Sequence, residues 1–339
     1  MNAADLDTPT VYVDLDVMEA NIRGMQERCR AWGVGLRPHT KTHKIPEIAQ
    51  QQLDAGAIGI TVAKLGEAEV LPGDDVLVAY PIMAAKLPRL RALAAKRRIT
   101  VVVDSPEAAR ALPGIGTLIE VDVGAGRVGV QTPEQAVAVA RACTDFRGVM
   151  YWPSWLDELG FSRARAQLDA HIGALEAAGF PVGIVSGGST PGAGKTPLIP
   201  RTTEIRPGTY VFNDMSQVVN GHATVEECAL RVLVTVVSTA VPGQVVIDGG
   251  TKTFSGDGTH GGTGHGLFVD RPGWSLKKMN EEHGYVKLDN GPSGATIGEK
   301  VWVIPSHVCA TVNMHDEIAY GRNGRVDGAW KVAARGKVR

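Results

Sequence analysis

Short runs of apolar, β-branched residues alternate with longer segments whose apolar positions recur every three to four residues, as far as about Asn213. Val11-Tyr12-Val13 reads as a strand, and Asp14 caps a helix in which Met18, Ile22 and Met25 share a face. The same grammar predicts helices over about 46–54, 64–71, 84–96 and 160–178. It predicts strands over 57–62, 75–79, 99–103, 118–123, 148–151 and 182–185. Ser105-Pro106-Glu107 and Thr132-Pro133-Glu134 each place a capping hydroxyl before a proline at the first helical position. About eight βα units by Asn213 favour a closed (β/α)8 TIM-type barrel over an open doubly wound sheet. The first βα turn carries no G-x-G-x-x-G, which disfavours a Rossmann dinucleotide site.

From about Thr224 the pattern changes. Strands over 230–238, 244–248 and 300–304 are separated by glycine-rich loops, with no long amphipathic helix between them. The expectation is an α/β barrel over 12–223 and a C-terminal all-β domain over 224–339, to which residues 1–11 add a strand.

Charge and cysteine content narrow the classes. The 339 residues carry 35 Lys+Arg against 36 Asp+Glu, which gives no reason to expect nucleic acid or an anionic membrane as partner. Cys29, Cys143, Cys228 and Cys309 form no C-x-x-C pair, so a reducing compartment is expected rather than a disulfide framework. No apolar run approaches the roughly 20 residues of a membrane span. Met1-Asn2-Ala3-Ala4-Asp5 lacks the basic and apolar regions of a secretion signal, and the expected location is the cytoplasm.

Candidate chemistry gathers at expected strand ends. Leu36-Arg37-Pro38-His39-Thr40-Lys41-Thr42-His43-Lys44 is either a solvated basic or phosphate-binding loop, or the seat of a Schiff-base amine. In the second case Lys41, among other cations, is expected to have a lowered pKa. Ser186-Gly187-Gly188-Ser189-Thr190 closes a late strand; it is either a plain turn or an anion nest. Glu204-Ile205-Arg206-Pro207-Gly208-Thr209-Tyr210 adds a cation and a phenol, or is a Pro-Gly turn with a surface arginine. Arg127, in a glycine turn, meets either an anionic ligand oxygen or a barrel carboxylate. His307 and Cys309, two apart on an expected extended segment, project to one side. Imidazole with thiolate suits zinc; a core cysteine beside a structural histidine is the alternative. Asp257, His260 and His265 lie in a glycine-rich segment, read as a mobile loop with solvated histidines. Glu281-Glu282-His283-Gly284 reads as either a site contact or a turn, and Trp152 and Trp155 as pocket walls or packing under a loop.

Taken together, the chain resembles the fold-type III pyridoxal-phosphate enzymes of the D-threonine aldolase and D-serine dehydratase group, distant relatives of alanine racemase. The resemblance runs in order through Thr8-Pro9 with Asp14, the 37–44 stretch, Asp122-Val123-Gly124-Ala125-Gly126-Arg127, the 186–190 loop, Pro207-Gly208-Thr209-Tyr210, the 281–284 turn and His307-Val308-Cys309 with Thr311-Val312-Asn313. It implies that Lys41 carries pyridoxal 5'-phosphate as a Schiff base. It further implies that Ser186, Gly187, Gly188, Ser189, Thr190 and Tyr210 hold the phosphate and that Arg127 contacts the phenolic oxygen. Arg206 matches the alanine racemase arginine beneath the pyridine nitrogen, and His39 and Tyr151 complete the expected cofactor site. His307 and Cys309 match the family's metal pair, with zinc expected and manganese or magnesium as alternatives. A head-to-tail homodimer with shared active sites is also implied.

One departure stands out: relatives commonly continue the Tyr151 strand with Gly-His, and this chain has Tyr151-Trp152-Pro153-Ser154-Trp155. The expected function is a lyase on D-β-hydroxy-α-amino acids. The cysteine ligand and the missing histidine tilt the expectation towards a dehydratase releasing keto acid and ammonia, rather than an aldolase giving glycine and aldehyde. A racemase lacks an identifiable second base, and a non-catalytic cofactor carrier would have no use for the His-x-Cys pair.

Overall fold

The structure, a computed structural model, describes residues 1–153, 157–258, 264–288 and 294–339. The chain forms two compact units. One comprises Gly24–Lys41, Pro46–Gly208 and Gly336–Arg339, and the other Met1–Arg23, Thr42–Ile45 and Thr209–Arg335.

Strand β1 (Thr10–Asp14) and helix α1 (Leu15–Trp32) open the chain. Asp14 Oδ1 accepts the backbone N–H of Asp16 and Val17, which starts the helix where the sequence placed its cap. The first unit then alternates β2 (Gly35–Leu36), α2 (Pro46–Asp54), β3 (Ile60–Val62), α3 (Leu65–Ala68), β4 (Asp75–Pro81), α4 (Leu87–Ala94), β5 (Arg98–Val103) and α5 (Pro106–Arg110). It continues through β6 (Gly116–Val121), α6 (Pro133–Ala142), β7 (Asp145–Tyr151), α7 (Glu158–Ala177), β8 (Ile184–Gly187) and β9 (Glu204–Ile205). Thr132 and Gln135 form a reciprocal capping box on α6, and Ser105 caps α5.

These eight strands are parallel and ordered β2-β9-β8-β7-β6-β5-β4-β3. A bridge between His39 and Thr61 closes the ring, with Thr61 N donating to Pro38 O at 2.8 Å. This is a (β/α)8 barrel. Its central strands are buried on both faces, which is why they read as mostly apolar runs without a polar–apolar alternation. Leu77, Val102, Leu118 and Met150 pack one core cluster from four successive strands. Arg37 is buried and fully paired: Nε lies 3.0 Å from both Glu204 oxygens and Nη1 2.9 Å from Asp75 Oδ1. Burial opposes its charge, but Glu204 and Asp75 outweigh that and hold its pKa above the ordinary arginine value.

Apart from the start of α1, the second unit is built of strands and short helices: α8 (Met215–Val219), α9 (Thr251–Phe254) and α10 (Val308–Val312). Its later strands are β10 (Leu230–Ser238), β11 (Gln244–Ile247), β12 (Gly266–Phe268), β13 (Trp274–Met279), β14 (Gly284–Leu288), β15 (Lys300–Pro305), β16 (Glu317–Arg322) and β17 (Arg325–Lys331). They run β11-β14-β13-β12-β15-β10-β1-β16-β17, and β10 also pairs with β11, so part of the sheet closes on itself. β1 lies between β10 and β16, antiparallel to the first and parallel to the second. No helix among the described residues is long and apolar enough to cross a membrane.

Candidate active site

A parallel barrel sends every strand's C-terminal end to the same face. His39 and Lys41 follow β2 there, Lys41 in a 3₁₀ turn over Thr40–Thr42. The turn is stitched to both neighbours, because His39 N donates to Pro207 O at 2.9 Å and Thr40 Oγ1 to Thr61 O at 2.9 Å. Lys41 is exposed, whereas Thr42, His43 and Lys44 are buried, and Lys44 Nζ donates to Asn313 Oδ1 at 2.8 Å. Of the two lysines in this stretch, Lys41 is the exposed one.

Tyr151 ends β7, Ser186 and Gly187 end β8, and Arg206 follows β9. Arg206 is buried; it donates to Ser186 Oγ at 2.8 Å and to Tyr151 O at 3.0 Å. Tyr151 is buried too, with its hydroxyl 2.6 Å from Thr202 Oγ1. A Cβ at Gly187 would land inside the Tyr151 ring, and Gly188 turns the chain at φ +79° against Ile205, so both positions require glycine. Burial pulls the Arg206 pKa below its ordinary value against the pull of Glu204 and Glu120. Burial likewise pushes the Glu120 carboxyl up, against Arg206 and Arg127.

Arg127 follows β6, with Nη2 3.6 Å from Glu120 Oε1 and its guanidinium 5.0 Å from the centre of the Trp152 ring. Its turn is built on Asp122, whose carboxylate accepts backbone N–H bonds from Gly124, Ala125 and Gly126 and a side-chain bond from Gln131. Burial raises the Asp122 pKa, but those donors together hold it below the usual carboxylate range. An exposed lysine, a double-glycine loop flanked by hydroxyl side chains and a buried guanidinium at one barrel end form a donor set that fits a phosphorylated aromatic aldehyde such as pyridoxal phosphate.

The remaining candidates lie in the second unit. His307 precedes α10 and Cys309 lies within it, so the pair is joined by a helical turn and not by the extended segment expected from sequence. The N-terminus of α10 is held because Asp214 Oδ2 accepts Val308 N at 3.2 Å while Oδ1 accepts Gln217 N at 3.0 Å. Cys309 Sγ lies 3.2 Å from Thr42 Oγ1 and 3.7 Å from Thr209 Oγ1, and Tyr210, the neighbour of Thr209, is buried. Thr42 is the residue after Lys41 in the chain.

His307 Nδ1 lies 2.7 Å from Asp257 Oδ2. The hydrogen bond with Cys309, that sulfur's charge, and then Asp257 and Asp214 raise the His307 pKa to about 9 despite burial. Among the described residues no group of three or more His, Cys, Asp or Glu side chains is placed to hold a metal. An imidazole–thiol pair alone fits zinc with open positions for water or substrate.

Two family models cover most of the chain. Residues 13–216 match "Alanine racemase, N-terminal domain", and residues 229–320 match "Putative serine dehydratase domain". The D-threonine aldolase of Arthrobacter sp is 33% identical over 98% of this chain and 94% of that protein. The D-threo-3-hydroxyaspartate dehydratase of Delftia sp. (strain HT23) is 35% identical over 90% of this chain and 92% of its own. The chain belongs to the D-threonine aldolase and D-serine dehydratase-like family.

Like its family, it is a lyase. The solved structure of the Delftia dehydratase superposes with a TM-score of 0.90 at 32% identity, covering 97% of this chain and 98% of that one. A cysteine-to-alanine mutant of a D-threo-3-hydroxyaspartate dehydratase, solved in the metal-free form, superposes at 0.88 with 31% identity, over 98% of both chains.

Thr42, Thr209 and Asp257 lie in stretches singled out from sequence, but their partners were not legible there: they reach Cys309 or His307 only through tertiary folding, and Asp257 is 50 residues from its partner. Asp122 was legible in principle, since Asp two residues before Gly is an Asx-turn signature. Glu282 forms an ion pair with Lys252 at 2.7 Å, and His283 O accepts Asn280 N at 2.9 Å, so the 281–284 motif is built as a turn. His265 Nδ1 sits 3.3 Å from Asp257 O. Trp155 and His260 lie outside the described residues.

Proposed function

We propose that this lyase is a pyridoxal-phosphate- and divalent-metal-dependent, D-serine dehydratase-like enzyme that converts D-β-hydroxy-α-amino acids to keto acid and ammonia. The observation that carries the reading is the His307–Cys309 pair, with Thr42, the residue after Lys41, against the thiol. In this reading the 186–190 loop and Tyr210 receive the phosphate, Arg127 the phenolic oxygen and Arg206 the pyridine edge. His39 and Tyr151 shape the floor, and His307 and Cys309 take zinc in preference to manganese or magnesium.

When bound, the cofactor supplies an electron sink for negative charge at Cα, and the metal supplies Lewis acidity toward the β-hydroxyl. The chain's own part is to move protons and set orientation. Lys41 Nζ, exposed on a turn pinned by His39 and Thr40, takes the Cα proton. Asp122 holds Arg127 in register through its glycine turn. The reading includes a homodimer with shared sites, checked by sedimentation and by mixing two inactive variants.

Similarity to the Arthrobacter aldolase over 98% of the chain supports retro-aldol cleavage as a second reading. Against it, Trp152 stands where relatives commonly begin Gly-His, so a histidine base is missing from that strand end. Product analysis separates the two. Pyruvate from D-serine or 2-oxobutyrate from D-threonine, lost on chelation and restored by zinc, is expected. Glycine with acetaldehyde from D-threonine would replace the dehydratase reading by the aldolase one.

A further inference from the structure

We infer that Asp257 is a positioning residue for the metal site: its carboxylate fixes the tautomer and ring orientation of His307 so that Nε2 is the atom left to bind metal. The inference rests on the reading of His307 and Cys309 as metal ligands. A neutral imidazole has one N–H and one lone pair, and which nitrogen holds which is set by what the other bonds. Asp257 Oδ2 lies 2.7 Å from His307 Nδ1, a charge-assisted distance, and an ionised carboxylate there can only accept. Nδ1 therefore keeps the proton and Nε2 keeps the lone pair. A carboxylate behind a ligand imidazole also raises the basicity of the opposite nitrogen.

The backbone that carries the carboxylate is anchored on both sides. Asp257 N donates to Ser255 Oγ at 3.2 Å, and Asp257 O accepts from Ser306 Oγ, the residue before His307. Ser306 N in turn donates to His265 O at 3.0 Å. On the histidine side, His307 O accepts both Thr311 N and Thr311 Oγ1 at 3.1 Å. Ser255 ends α9 with φ +72°, two residues before Asp257. Both side chains are partly exposed, at 43% for His307 and 53% for Asp257, so the bond is a local one and its loss need not disturb the core.

The test uses the full-length protein stripped of metal and titrated with zinc against a chromophoric chelator. Alongside wild type run Asp257→Ala, the isosteric Asp257→Asn and, as ligand control, His307→Gln. D257A is expected to bind zinc about 10–100-fold more weakly, with D257N between it and wild type, while the metal-free melting temperature stays unchanged. Wild-type zinc affinity in D257A, with H307Q losing it, would overturn the inference and leave the metal reading standing. That result would make Asp257 only a counter-ion to a metal-free imidazolium. A lowered metal-free melting temperature in both Asp257 variants would reassign the residue to loop stability. Equal zinc binding by wild type and H307Q would overturn the metal reading itself.

Discussion

Asp122→Asn removes one charge and turns one acceptor into a donor at the centre of the Arg127 turn. In the native structure Oδ1 accepts Gly124 N at 3.0 Å, Ala125 N at 2.8 Å and Gly126 N at 3.1 Å. Oδ2 accepts Gly126 N and Gln131 Nε2, both at 3.1 Å. Asparagine can keep the first three bonds, but as neutral ones. A bond to a charged group contributes roughly 1.5–3 kcal/mol and a neutral one roughly 0.5–1.5, so the three lose about 1 kcal/mol each. Gln131 can recover its partner only by flipping, which forfeits its 2.9 Å bond to Gly129 O. Gly124 and Gly126 are exposed, so water can reach their N–H groups and the cost does not grow further. The expected loss is about 3 kcal/mol at pH 7, read by urea denaturation, with faster amide exchange across 122–131.

The sign of the pH dependence follows from the depressed Asp122 pKa. Its contribution is complete above the unfolded carboxylate value, about 3.9, and is lost as pH falls through the lower folded value. The gap between wild type and D122N should therefore shrink in acid. A gap below about 0.5 kcal/mol at pH 7, or one that stays constant below about pH 4, refutes the reasoning.

Three further outcomes are expected. Arg37→Met leaves the buried Glu204 without the guanidinium that pairs it, and Asp75 with only Arg98 at 3.7 Å, and should cost about 3–5 kcal/mol in urea denaturation; a loss under about 1 kcal/mol would show that the Arg37–Glu204 pair is not desolvated as its burial implies. Burial pushes the Cys29 thiol up to about 11 and the Cys228 thiol up to about 12, so mass spectrometry after alkylation at pH 8 should find both unmodified in the native protein and modified in urea. In the same experiment zinc should protect Cys309, and alkylation of Cys309 regardless of zinc would contradict the proposed pair. Lys41→Ala should abolish the cofactor's absorbance band near the visible edge, and a variant that keeps the band would move the attachment to Lys44.

The barrel was legible because its evidence is local. Strands such as 99–103 and 118–123 are rich in apolar, β-branched residues and buried at nearly every position, their helices carry hydroxyl and proline caps, and a parallel sheet with helices outside favours both features. The order of the motifs placed Lys41, Arg127, the 186–190 loop and Arg206 at strand ends, and parallel topology alone then sends them to one face. Strand lengths were less legible: the 57–62 run forms a strand only over Ile60–Val62, the residues in register with β4. The His-x-Cys geometry was not legible either. Period-two reasoning assumed an extended segment, whereas Asp214, 94 residues away, captures Val308 N and starts a helix there.

The difference is one of range. Periodicity, caps and turn chemistry act within a few residues, so the amino-acid order determined the elements, the barrel and the residue types available for chemistry. Which polar groups meet, as in Arg37 with Glu204, Thr42 with Cys309 and Asp257 with His307, depends on separations of 167, 267 and 50 residues. Only the tertiary structure decided those pairings, because a side-chain hydrogen bond needs placement to a few tenths of an ångström, and the closed sheets of the fold provide it.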